Sequence, residues 1–391
     1  MLIHSDIDKY IKFMKGYCVW YGKSVTWDDT RFDLCRKYYT ESKCYLSAVL
    51  LCVVSFALYS TDDFGLHDGT FIYWPVCLMM LVLTSIATAT RHQQDVLTMS
   101  LNDNFLENSE PWMRAIKDQN INKLWKMLRF LIAYNNTTCS LYFIVPLVAD
   151  SILHYGFDYL QTPFSLPMPL TPFLKYRNTW NAKYYVLTAL NFWSTSEIVF
   201  TLQWFIGNYS LLTTFFLAEL IIFKHQVKSL DFGKSDEWDQ QVESIVNKHT
   251  KIMKLNGELR DYLGLPGAFM TFFTSLTLTF TGFVIFTSPN IPLRISYGSG
   301  FVLYFCAALL LTTIGQKLEN ESDELFKAFY NLRWYQYSPN ARKSLNMMMR
   351  QARTPLIIDF HGRYKMNLAN FMQILRSSYS YFTLLREVAK D

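Results

Sequence analysis

Long apolar runs alternate with charged stretches along almost the whole chain, and that alternation decides the fold class. A helix needs about 20 predominantly apolar residues to cross the ~30 Å hydrocarbon core of a bilayer. Inside that core every backbone polar group must be satisfied internally, so only helices and closed barrels span it. Runs of suitable length stand at 44–60, 70–89, 126–155, 182–228, 263–286 and 293–314, and a seventh, more polar one at 367–386. The chain is 51% hydrophobic and only 18% charged, the membrane end of the usual range. The pattern predicts an all-α integral membrane protein with seven transmembrane helices. It divides into a polar N-terminal segment (1–43), six spans (44–314), a charged helical stretch and loop (315–363) and the seventh span (364–388).

Lys and Arg set the orientation, because they accumulate in cytosolic loops. Eight precede the first span: Lys9, Lys12, Lys15, Lys23, Arg31, Arg36, Lys37 and Lys43. The even-numbered loops are also basic, whereas the odd-numbered ones hold only Lys175, Arg177 and Arg294 between them. A cytosolic N-terminus and an extracellular C-terminus follow. That is the reverse of a G-protein-coupled receptor. The early residues have no apolar core, so no cleavable signal peptide is expected. Ile7, Tyr10, Ile11 and Met14 recur at helical spacing. They fit a surface helix on the membrane and an ordinary cytosolic segment equally well.

Several runs do not look like simple spans. Residues 182–228 would make a helix roughly 70 Å long, so half of it stands beyond the bilayer. Residues 229–260 are charged and read as a connecting loop of about 30 residues. Leu318, Leu325, Phe329 and Leu332 give 315–353 the spacing of a cytosolic helix. Asn135-Asn136-Thr137-Thr138 puts polar groups in the middle of span three, where they must face protein or water. Glu197 in span four and Arg376 in span seven pose the same demand.

The last span is the most informative. Asn370, Gln373, Ser377, Ser380, Leu384 and Glu387 follow one another at steps of three, four, three, four and three. Those steps align them on one helical face. Phe371, Ile374, Leu375, Phe382 and Leu385 occupy the others. A polar stripe on a greasy helix fits a water-filled pore, with Leu384 as a hydrophobic constriction and Glu387 as a cation-attracting mouth. It equally fits a helix packed in a bundle, with its Ser and Asn bonding to neighbours.

Other chemistries find little support. The seven His are scattered, without HxxxH or HExxH, and no phosphate-binding loop or nucleophile elbow occurs. No enzyme, metal site or cofactor is expected. Cys18, Cys35, Cys44, Cys52, Cys77, Cys139 and Cys306 lack CxxC spacing and read as small apolar side chains. No basic patch with interleaved aromatics points to nucleic acid. No matched pair of broken helices points to a transporter.

Residues 315–386 resemble the C-terminal signature of insect odorant receptors. The matching pieces are Gly315 with Glu319, Glu321 and Ser322; Trp334 and Tyr335; Met348-Met349-Arg350; Arg353-Thr354-Pro355-Leu356; Gly362; and above all the run from Ser377 to Arg386. The resemblance implies a tuning subunit of a ligand-gated, non-selective cation channel. Such a subunit joins a common co-receptor (Orco) in a heterotetramer, in the plasma membrane of olfactory sensory dendrites. It also implies a cytosolic anchor domain built from extended helices. The last span would line the pore with Ser377, Ser380, Tyr381, Leu384 and Glu387. Partners would be the co-receptor, membrane lipid and a small volatile odorant. A heptahelical chemoreceptor that signals without conducting ions remains the alternative, ahead of a multi-span enzyme.

By the same resemblance the ligand pocket lies in the outer half of the membrane, between spans two, three, four and six. Candidate walls are Phe71, Tyr73, Trp74, Phe143, Ile144, Leu147, Phe192, Trp193, Tyr297 and Phe301. Ser140, Ser196 or Tyr73 could supply a hydrogen bond. So many rings favour a flat aromatic ligand, though aromatics at membrane edges commonly serve as interfacial anchors.

Overall fold

The structure is a computed structural model. It describes residues 42, 44–55, 71, 73–90, 93, 97, 110–157, 182–230, 238–289 and 291–388, without 333 and 337. Among these residues the chain is almost entirely helical. The helices are α1 (Cys44–Ser55), α2 (Tyr73–Ala89), α3 (Pro111–Phe157), α4 (Ala182–Lys228), α5 (Trp238–Thr287), α6 (Ile291–Tyr330), α7 (Pro339–Ala352) and α8 (Leu368–Val388). One antiparallel hairpin, β1 (Asp359–Phe360) with β2 (Tyr364–Lys365), precedes α8. The surface helix expected near the N-terminus, the stretch 61–69 between the first two apolar runs and residues 158–181 before the fourth lie outside the described residues.

Four helices far exceed a bilayer. α3 and α4 have 47 residues each, α5 has 50 and α6 has 40. At 1.5 Å per residue these are roughly 60–75 Å long. Among the described residues three stretches are long and apolar enough to cross a membrane on their own: Thr195–Lys228, Val242–Thr287 and Arg294–Tyr330.

Two stretches expected as loops are helix instead. α5 begins at Trp238, leaving only 229–237 between it and α4. Val242, Ile245, Ile252, Leu255 and Leu259 explain the difference: they recur at helical spacing and all are buried. α3 likewise begins at Pro111 rather than near Lys126, with Ile121, Leu124, Leu128 and Leu131 forming its buried stripe. Charge masked both stripes. A helix standing clear of the lipid needs only one apolar face.

The overrunning halves meet at one end of the bundle and hold each other there by polar contacts. Lys117 on α3 pairs with Glu219 on α4 at 3.2 Å. Lys224 on α4 pairs with Glu321 on α6. The Lys248 ammonium on α5 donates to the Gln226 amide oxygen on α4 at 2.8 Å. Between them the buried His249 ring sits against Phe223 and Phe329, at centroid distances of 6.1 and 5.7 Å. Both ion pairs are only partly buried, with the Glu219 and Glu321 side chains 23% and 29% exposed, so water screens part of the charge that losing a partner would strand. They still fix the register of α3, α4 and α6.

The helix α7 completes this end. Ser338 caps it by accepting from the Ala341 N–H at 3.2 Å, and Pro339 opens it. It buries Ala341, Leu345, Met348 and Ala352, spaced four, three and four. The backbone N–H of Leu356 then donates to Ser322 Oγ on α6 at 2.8 Å.

The chain next reverses through His361 and Gly362, both at positive φ (49° and 74°), as a type I′ turn requires. The Asp359 carboxylate accepts from the Gly362 N–H and closes the turn. This hairpin lies directly on two glycines. A methyl group on Gly264 of α5 would overlap the Asp359 carbonyl, and one on Gly315 of α6 would overlap the Met366 carbonyl. The start of α8 is bonded to α6 as well. Asn367 caps α8 by accepting from the Asn370 N–H at 3.1 Å, and donates to Glu319 at 3.1 Å. The signature residues Gly315, Glu319, Glu321 and Ser322 thus each have a structural task on α6.

Gly315→Ala has no room for its methyl group without displacing the backbone that starts α8. We expect it to abolish surface expression or to lower the thermal midpoint in detergent by well over 5 °C. Wild-type expression and melting would refute this contact.

Candidate functional site

Away from the anchoring end, five helices enclose a cavity of about 80 Å³. Tyr73 and Val76 come from α2, and Asn135 and Thr138 from α3. Thr195, Ile198, Val199 and Leu202 come from α4. Thr277 and Thr281 come from α5, and Tyr297, Gly300, Leu303 and Tyr304 from α6. Eight of these fourteen side chains carry a hydrogen-bonding group and none carries a charge. A small satellite core of Val54, Tyr73, Val76, Cys77, Met80, Ile198, Val284 and Tyr297 supports the wall on the α2 side.

The polar patch of span three faces α4. Asn135 donates from Nδ2 to the Val199 carbonyl at 3.5 Å, a long bond. Asn136 accepts from Gln203 at 2.8 Å. Tyr134 reaches across to α6 and donates to the Ser299 carbonyl at 3.2 Å. Asn135, Asn136 and Tyr134 are thus paired with neighbouring helices, as polar groups at that depth require. Glu197, one residue before Ile198, is buried but does not line the cavity.

Two of the sequence-derived pocket residues, Tyr73 and Tyr297, line this cavity. Phe71 packs edge-on against Phe280 and Phe283 of α5, at 4.6 and 6.3 Å. Phe301 is half-buried against the main core. Trp74, Phe192 and Trp193 point outward, 40%, 59% and 48% exposed, as interfacial anchors do. Ser140 and Ser196 spend their protons on their own helices, donating to the Asn136 and Phe192 carbonyls. Phe143, Ile144 and Leu147 lie on α3, with side chains outside the described residues. The wall that sequence reasoning missed is α5. Its signal was the density of hydroxyls in an apolar run: Thr271, Thr274, Ser275, Thr277, Thr279 and Thr281.

That helix has two working faces. Successive odd positions differ by about 200° around a helix, so Thr277 and Thr281 oppose Ser275 and Thr279. The first pair lines the cavity. The second pair meets α8: Ser378 Oγ shares its proton between the Ser275 carbonyl at 3.0 Å and its own Ile374 carbonyl at 2.8 Å, and Thr279 Oγ1 shares its proton between the Ser378 carbonyl at 3.2 Å and the Ser275 carbonyl at 2.8 Å. Asn370 is bonded nearby, donating to Thr271 at 3.2 Å. The six-residue stripe read from the sequence is therefore divided. Asn370 belongs to the packed face, beside Phe371, Ile374 and Ser378. Ser377 lies at the boundary, while Gln373, Ser380, Leu384 and Glu387 face away from the subunit together with Tyr381. Leu384 is 64% exposed. Arg376 is exposed too, on the neighbouring line of the same helix.

A sequence profile for the family described as 7tm Odorant receptor matches residues 68–379. The chain belongs to that family. Its members are chemosensory receptors rather than enzymes, and its seven spans are α1 to α6 and α8. Among known relatives, Odorant receptor 30a of Drosophila melanogaster is 23% identical over 233 residues, 58% of this chain and 59% of that one. An Odorant receptor coreceptor from Ooceraea biroi is 24% identical over 141 residues, 36% of this chain and 30% of that one. The matched regions thus cover less than two thirds of either relative. The fold extends across the whole chain. The olfactory receptor OR5 of Machilis hrabei superposes with a TM-score of 0.81, covering 98% of this chain and 99% of that one at 13% identity. Its structure in complex with eugenol gives 0.77 over 97% and 98%, at 14% identity.

In this odorant receptor Val76→Phe would fill much of the 80 Å³ cavity. We expect it to raise the odorant concentration for half-maximal response at least about tenfold, with surface expression unchanged. An unaltered dose–response curve would move the ligand elsewhere.

Proposed function

We infer that this chain is the tuning subunit of an odorant-gated, non-selective cation channel. It binds a small volatile ligand in the five-helix cavity and works in a heterotetramer with the odorant receptor co-receptor. The observation that carries this reading is the double role of α5, with Thr277 and Thr281 at the cavity and Ser275 and Thr279 on Ser378 of α8. One rigid helix turn separates the two contacts. The eugenol complex of the Machilis receptor, which shares this fold, supports a volatile ligand. The similarity to a coreceptor supports assembly with such a chain.

The cavity volume suggests how binding does work. A dry cavity of about 150 Å³ is enough to admit benzene. At about 80 Å³ this one is too small for an odorant in its resting form. An odorant binds more tightly to an arrangement in which the helices stand apart, and it shifts the population toward that arrangement. When α5 moves it carries α8 with it, because the two share the Ser275–Ser378–Thr279 bonds.

The face of α8 that points away from the subunit then lines the pore with Ser377, Ser380 and Tyr381. Leu384 forms the hydrophobic constriction, which gates by dewetting, and Glu387 gives the mouth its preference for cations. The orientation that follows from the Lys and Arg distribution has the N-terminus and the anchoring end in the cytosol and the C-terminus outside. The site of action is the plasma membrane of olfactory sensory neurons.

The test is current in oocytes expressing this chain with and without the co-receptor, against a panel of volatile alcohols, esters and aromatics. A cation current that needs both the co-receptor and an odorant is expected. A response carried by a G protein, without ion flux through the complex, would favour the non-conducting chemoreceptor instead. Leu384→Ala should raise the ligand-free current several-fold, and an unchanged basal current would remove Leu384 from the gate. Glu387→Gln should lower, without abolishing, the preference for cations over anions in reversal potentials.

A further inference from the structure

Each hydroxyl lining the cavity has one proton, and where that proton is committed decides what the group can offer a ligand. Thr277 Oγ1 donates to the Phe273 carbonyl at 2.8 Å. Thr281 Oγ1 donates to the Thr277 carbonyl at 2.6 Å. Both protons are thus spent within α5, and both oxygens keep lone pairs. From a ligand these two hydroxyls can therefore only accept. They lie one turn apart on the same helix face, so a single ligand group can meet either. The neighbouring α6 wall is different. Tyr304 lines the cavity from α6 with a phenolic group that can both donate and accept.

Charge narrows the choice further. No Asp, Glu, Lys, Arg or His lines the cavity. An ionised acid or amine entering it would lose its hydration with nothing to replace it. A hydrocarbon would leave the Thr acceptors and Tyr304 without new partners. A ketone, ester or aldehyde can accept from Tyr304 but has no proton for Thr277 or Thr281. An alcohol or phenol answers both walls at once, donating to the α5 threonines and accepting from α6.

We propose that the ligand of this receptor is a small uncharged molecule bearing a hydroxyl group, and that Thr277 and Thr281 select it by accepting a hydrogen bond from that group. This rests on the cavity being the odorant site, as inferred above. It adds the class of ligand and the residues that read it. It also gives the gating contact a chemical trigger, since the hydroxyl bonds to the helix that holds α8.

The experiment uses the full chain co-expressed with the co-receptor and size-matched triplets: benzyl alcohol, benzaldehyde and toluene, and 1-hexanol, hexanal and hexane. The alcohols should act at concentrations roughly tenfold lower than the carbonyl compounds, the value of one net hydrogen bond. The double substitution of Thr277→Val with Thr281→Val should shrink that ratio to within about twofold, whereas either alone leaves one acceptor in place. Thr277→Ser, which keeps the acceptor, should restore it. A wild-type receptor that prefers the carbonyl compounds or the hydrocarbons overturns the hydroxyl assignment. So does an alcohol preference that survives both valine substitutions. A silent panel beside a conducting Leu384→Ala channel also overturns it, while the channel reading stands. If Leu384→Ala is silent too at confirmed surface expression, the channel reading fails first and this inference falls with it.

Discussion

Two backbone contacts hold the molecule's working parts together: the Asp359 carbonyl on Gly264 and the Met366 carbonyl on Gly315. Main chain can approach main chain this closely only where no Cβ stands between. The consequence is mechanical. The hairpin before α8 is seated at once on α5 and α6, so α8 cannot start anywhere else. Pro266 lies inside α5 two residues from Gly264 and lacks an N–H, so the helix ladder is already interrupted where the hairpin docks. Asn367, Glu319 and Gln316 then add hydrogen bonds at the same junction. At this point the anchoring end, the ligand helices and α8 become a single object.

From that junction α5 runs toward the opposite end as a wall shared by two compartments. Threonine suits this position. It packs as a β-branched apolar residue, it satisfies its own proton against the i−4 carbonyl, and it keeps a lone pair for a neighbour. Thr277 and Thr281 do this on the cavity side, while Thr279 divides its proton between the Ser275 and Ser378 carbonyls. The pattern explains how a helix with several hydroxyls can cross the lipid region without an unsatisfied donor among these three. It also explains why cavity and α8 are adjacent without touching.

Much of this architecture was legible in the sequence. The apolar runs yielded the span count. The length of 182–228 foretold a helix leaving the bilayer, and α4 has those same bounds. The signature from Gly315 to Ser322 marked the residues that seat the hairpin and pair with α4. Where the reading faltered, the cause was composition overriding periodicity. The charged residues between 229 and 260 hid a buried stripe, so a helix was read as a loop. Large aromatics drew attention toward Phe192 and Trp193, which face outward. The cavity is lined instead by threonines, tyrosines and small aliphatics whose composition looks like any other span.

What the sequence alone determined is the membrane class, the seven spans, the family signature and the polar character of the last helix. These depend on local composition and on helical period, which a single chain displays directly. Only the tertiary structure decided which face of each helix meets which neighbour. Periodicity groups Asn370 with Leu384, yet Asn370 bonds to Thr271 of α5 while Leu384 faces away. It cannot say that Thr277 and Ser275, two residues apart, serve different compartments. Rotation about a helix axis is set by packing against other helices, and the physical reason is that lipid turns polar groups inward without choosing which neighbouring helix they meet.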